Sequence, residues 1–69
     1  MSSGTISDLD AEGLFGVIDT DDGQLVLFNL REVEPPLRPL FTVGARVHFA
    51  EADGSVVPRA VSLRAGPLL

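Results

Sequence analysis

Apolar positions along this chain come in short runs broken by turn-forming residues. Asp10-Ala11-Glu12-Gly13, Asp22-Gly23 and Asp53-Gly54 each separate two such runs. Asp-Gly between apolar segments is a strong hairpin signal, because Gly accepts the positive φ that tight hairpin turns require. No stretch keeps apolar residues at helical spacing over ~12 residues, the length below which an isolated helix is marginal. The pattern is all-β, and it predicts five strands. Thr5 to Leu9 is carried by Ile6. Leu14 to Ile18 sets Phe15 and Val17 on one face, Leu14 and Ile18 on the other. Leu25 to Leu30 is apolar on both faces, which is unusual for a strand with one wet side. Arg46 to Ala50 points Val47 and Phe49 inward and His48 to solvent. Ala60 to Arg64 points Val61 and Leu63 inward. Strict alternation would also bury Arg59, but an unpaired buried charge is too costly. The fifth strand is therefore expected to begin after Pro58, with Arg59 outside.

Two connecting segments have their own chemistry. Asn29 is placed to N-cap a single helical turn running to Val33. Pro35, Pro36 and Pro39 remove three backbone donors and fix three φ angles, so Glu34 to Gly44 reads as a stiff loop. Leu37, Leu40 and Phe41 are expected to tack that loop to the body of the protein. Five short strands favour a small closed barrel, because closure removes edges that so small a sheet could not otherwise cover.

Composition narrows the function. With 69 residues the chain is one domain, 1–69, with the barrel over about 4–64 and short loose ends. It has no cysteine, which excludes disulfides, thiolate metal sites and a cysteine nucleophile, and makes a reducing cytoplasm the expected setting. The opening residues carry no basic stretch followed by an apolar one, so no secretory leader is expected. No apolar run approaches the ~20 residues that span a membrane. Net charge is −5 and all five basic residues are Arg, which counts against unaided phosphate binding.

Candidate chemistry is sparse. Asp19-Thr20-Asp21-Asp22-Gly23 resembles the start of a calcium loop, but Leu30 stands where the bidentate Glu is needed. A solvated acidic hairpin is the better reading. Asp8, Asp10 and Glu12 fall at a strand end and turn with no implied cleft, which suits a water-facing rim rather than general acid–base work. His48 is the only histidine, so His-based metal clusters are excluded. No serine has an accompanying base. Neither catalytic residues, nor a metal site, nor a cofactor is expected, and the chain is read as non-enzymatic.

One set of residues points to a known family. Gly4-Thr5-Ile6, Ala11-Glu12 and Phe15-Gly16-Val17-Ile18 are similar to the opening of the bacterial cold-shock domain, with its Gly-Thr-Val-Lys-Trp-Phe-Asn and Lys-Gly-Phe-Gly-Phe-Ile motifs. Val26-Leu27-Phe28-Asn29-Leu30 lies where that family has Val-Phe-Val-His-Phe. Gly44-x-x-Val47-x-Phe49 and Pro58-x-Ala60 fit its fourth and fifth strands. The likeness runs without a gap from Gly4 to about Leu63. It implies a five-stranded antiparallel OB-type barrel that binds single-stranded RNA or DNA on an open face of aromatic rings ringed by lysines.

Most of that chemistry is replaced here. Asp8, Leu9 and Val17 stand where the family has Trp, Phe and Phe; Leu27, Asn29 and Leu30 stand for Phe, His and Phe. Arg38 occupies another Phe position, and the first-motif lysines are Ser7 and Gly13. Leu14 replaces a Gly. Losing stacking for three bases at ~2 kcal/mol each removes ~6 kcal/mol, or ~10⁴-fold in affinity. The expectation is weak binding of single-stranded nucleic acid through Phe15, Asn29, Leu30, Arg38 and Arg59. The alternative is a protein-interaction or self-association surface, possible with a protein partner or in a homodimer, built from Val17, Leu27 and Leu30. Those side chains leave an aliphatic patch on the same face unless Leu37 and Leu40 fold over it.

Overall fold

The computed structural model describes residues 2–12, 14–52 and 58–66. The strands are β1 (Ser2–Leu9), β2 (Phe15–Thr20), β3 (Leu25–Asn29), β4 (Arg46–Glu51) and β5 (Ala60–Gly66). Neighbouring strands pair antiparallel in the order β3-β2-β1-β4-β5. The sheet curls until its ends meet: Leu27 pairs in parallel with Arg59, and the Leu27 amide donates to the Pro58 carbonyl at 3.0 Å. The result is the expected all-β, five-stranded barrel with OB-type strand order. Among the described residues no helix is long and apolar enough to cross a membrane.

The hairpin chemistry explains the β2–β3 connection. Gly23 adopts φ 91°, and its amide donates to the Thr20 carbonyl at 3.0 Å. Thr20 Oγ1 accepts from the Gln24 amide at 2.8 Å, so the acidic segment closes as a turn. The Asp53-Gly54 turn lies outside the described residues.

Inward positions follow the pleat. Ile6, Ile18 and Val26 form one row across β1, β2 and β3 and are fully buried. Phe28, Val47 and Phe49 fill the centre with Leu30, Val33, Phe41 and Ala60. Burying one such side chain contributes about 1.5–3 kcal/mol, so a chain this short rests on few residues. Gly16 faces Phe28 across the β2–β3 ladder, and any side chain there would run into that ring.

Two bulges correct the simple alternation. In β1, Ile6 pairs with Ile18 but Asp8 pairs with Val17, so Ser7 is an extra residue; its hydroxyl donates to the Val17 carbonyl at 3.3 Å. β5 carries an extra residue between Val61 and Arg64, which pair with Ala50 and His48 of β4, and Ser62 sits at φ 54°. The extra residue there reorders the inward set. Ala60 is fully buried and Leu63 packs on the core, whereas Val61, expected inward, is only half-buried outside the core cluster. His48 is not fully in solvent either: it is half-buried, with Nδ1 and the Ser3 hydroxyl sharing a 2.7 Å hydrogen bond.

The segment after β3 is more regular than a loop. A short 3-10 turn, Leu30–Glu32, is capped by Asn29, whose side chain accepts from the Arg31 amide at 2.9 Å. A second 3-10 helix spans Pro35–Leu40. Phe41 anchors it in the core, but Leu37 and Leu40 are 47% and 54% exposed. They line a separate groove with Leu63 and Ala65, and so do not cover the patch at Val17 and Leu27.

Candidate nucleic-acid interface

The outer face of β1, β2 and β3 is built from the residues the core does not use. Phe15 and Val17 leave β2 on the outward side; Leu25, Leu27 and Asn29 do so on β3, in the alternation that sends Ile18, Val26 and Phe28 inward. Cross-strand pairing then places Phe15 beside Asn29, and Val17 beside Leu27. The bulge at Ser7 brings Asp8 next to Val17, and the barrel closure brings Arg59 next to Leu27.

Phe15, Leu27, Asn29 and Arg59 line one open cleft of about 360 Å³, floored by Phe28. Phe15 is 51% exposed and Leu27 46%. The position of Phe15 is set by Asp10, whose Oδ1 accepts from the Leu14 and Phe15 amides at 2.8 and 3.4 Å. Asp10 thus closes the β1–β2 turn, which gives that carboxylate a structural task. Beyond Phe15 the face continues over Val17 to Asp8 and Asp10.

Two sequence candidates fall elsewhere. Leu30, expected on this face, is only 5% exposed and belongs to the core. It follows Val26 and Phe28 in the inward alternation; Asn29 then ends β3 as a cap, and the Leu30 amide donates to the Leu14 carbonyl at 2.7 Å. Arg38 does not line the cleft. Its Nε donates to the Val33 carbonyl at 2.9 Å and its Nη2 to that of Arg31 at 3.4 Å, tying the two 3-10 segments together. Leu25, 63% exposed, was not singled out from the sequence, although the two-sided apolar pattern of its strand signals it.

The cleft is electrostatically lean. Among the described residues Arg59 is its one lining cation, and Nη2 of that residue already meets Glu32 Oε1 at 3.3 Å. Arg46 is committed at the far end of the sheet, where it grips both oxygens of Asp21 at 2.7 and 2.8 Å and reaches Thr5 Oγ1 at 3.2 Å. That hydrogen bonding holds the Asp21 carboxyl below its usual range. Among the described residues no group of acids and histidine converges as metal ligands would. No protein-family model matches the chain, and no curated protein matches it in sequence.

Proposed function

We propose that this protein is a small, non-enzymatic, cytoplasmic binding module of the cold-shock class that takes single-stranded RNA or DNA weakly on its outer face. The observation that carries this reading is the convergence of Phe15, Asn29 and Arg59 on one open cleft. An exposed ring offers a stacking platform to any base, an amide can bond a base edge, and a guanidinium suits the adjoining phosphate. The weakness follows from the same inventory. A single ring supplies ~1–3 kcal/mol per stacked base. The cation shares its charge with Glu32, Asp8 and Asp10 stand at the other end of the face, and net charge −5 repels a polyanion.

The test is an NMR titration of the full chain with a single-stranded oligopyrimidine at low salt. Shifts are expected at Phe15, Leu27, Asn29 and Arg59, with affinity falling as salt rises. Phe15→Ala should lower the affinity by about fivefold to a hundredfold. Binding that ignores both salt and Phe15→Ala would defeat the reading. The aliphatic surface of exposed Leu25 and Leu27 with half-buried Val17 supports a second reading, that the face meets protein.

A further inference from the structure

The outer face has an order that stacking of bases does not use. Asp8, Val17, Leu27 and Arg59 form one row across four strand positions, each paired with the next. From one end the row reads anion, aliphatic, aliphatic, cation; from the other it reads the reverse. Consider a two-fold axis lying in this face, parallel to the strands and passing between β2 and β3. It lays the row on its own reversal. Asp8 of one copy then faces Arg59 of the other at both ends, Val17 faces Leu27 twice, and the neighbouring pair sets Phe15 against Asn29.

We propose that this face is an isologous interface and that its occupant is a second copy of this chain. Charge complementarity chooses that partner. Two copies at net charge −5 repel each other in most orientations, so local pairing of opposite charges must set the register. A two-fold arrangement gains each contact twice. The centre of the contact is aliphatic, where water is displaced with benefit: Leu27 is 46% exposed and Val17 half-buried in the single chain. Arg59 can keep Glu32, met at its Nη2, and still present other N–H donors to Asp8. Asp10 lies beside Asp8 and adds to the anionic end. This proposal rests on and deepens the protein-facing reading of the surface; the dimer covers Phe15, Asn29 and Arg59 and so competes with nucleic acid for one face.

The experiment is sedimentation analysis of the full chain, without nucleic acid, up to about 1 mM protein, since weak small interfaces dissociate in that range. Wild type is expected to show a monomer–dimer equilibrium. Asp8→Arg alone and Arg59→Asp alone each put like charges together twice per dimer and should weaken association about tenfold or more. The double exchange, Asp8→Arg with Arg59→Asp, should return it to within about threefold of wild type. Both substitutions sit on exposed positions, and circular dichroism checks that each of the three variants is folded. A wild-type chain that stays monomeric overturns the proposal and leaves the face to a different protein or to nucleic acid. A dimer whose double exchange fails to recover also overturns it, because the contact then lies elsewhere. The oligonucleotide titration, run on dilute monomeric protein with Phe15→Ala as its control, tests the nucleic-acid reading separately.

Discussion

Two rings added to the outer face should convert a weak single-strand binder into a firm one. The perturbation is Val17→Phe together with Leu27→Phe. These residues are partners across β2 and β3, and both point away from the core formed by Ile18, Val26 and Phe28. Larger side chains there extend outward from the barrel rather than into its core. Cross-strand aromatic pairing even favours the fold by roughly 0.2–1 kcal/mol. With Phe15 already 51% exposed two positions along β2, the face would then carry three adjoining rings. Each new platform contributes ~1–3 kcal/mol per base, so two give ~2–6 kcal/mol. That corresponds to a gain of roughly 30-fold to 10⁴-fold in affinity. Asp8 in the same row subtracts part of the gain at low salt, so adding Asp8→Asn should raise affinity further, by a smaller factor. The assay is fluorescence anisotropy of a labelled oligothymidine, at protein concentrations where the chain is monomeric. A folded double variant that binds no better than wild type would refute the reasoning, because it would mean that bases do not reach this face.

Other consequences are equally direct. Leu30→Ala removes a core side chain and should cost about 2–5 kcal/mol in denaturant unfolding; a surface-like cost under about 0.5 kcal/mol would contradict its burial. Gly16→Ala forces a methyl against the Phe28 ring and 2.8 Å from the Asp8 carbonyl, so a loss of about 1–3 kcal/mol is expected in the same measurement. The Asp21–Arg46 pair predicts a pH dependence of stability. Because Asp21 has a lower pKa folded than unfolded, the unfolded chain takes up its proton first as pH falls. Its stabilising contribution is complete above about pH 4 and is lost as pH drops through the folded value. Asp21→Asn should flatten that part of the thermal stability profile, and an unchanged profile would show that the pair is inert.

The strand framework was legible because turn chemistry and period-2 patterning agree locally. Asp22-Gly23 placed the central hairpin, and Val47 and Phe49 point inward as their alternation requires. The two-sided apolar character of Leu25 to Leu30 has a divided explanation: Val26, Phe28 and Leu30 build the core, while Leu25 and Leu27 stay outside. What the pattern did not reveal are events of the backbone. A bulge needs only a Ser in an unusual place, and Ser7 and Ser62 look like any solvent-facing residue, yet each resets the face of everything beyond it. Leu30 was expected outside from its position in the family pattern, although the alternation that buries Val26 and Phe28 already points it inward. Arg38, expected in the binding face from its position in the family pattern, is turned to backbone carbonyls instead. Its carbonyl acceptors come from a 3-10 geometry that only the folded segment creates. The convergence of Phe15, Asn29 and Arg59 was half visible: strand alternation gives the first two, and barrel closure alone delivers the third.

That closure has a kinetic consequence. β1, β2 and β3 form a meander of near neighbours, and contacts between near neighbours form early because little loop entropy is lost. The seam between Leu27 and Arg59 joins positions separated by nearly half the chain through one described bridge and the Leu27 amide bond to Pro58. Held by so few bonds, it should part early on fluctuation, so the Leu27 amide should exchange its hydrogen faster than that of Val26 or Phe28 beside it. Each such opening also carries Arg59 away from Phe15, so the cleft is present only while the seam is shut. A ligand held there acts as a clasp on the barrel, slowing exchange at Leu27 by the free energy with which it binds.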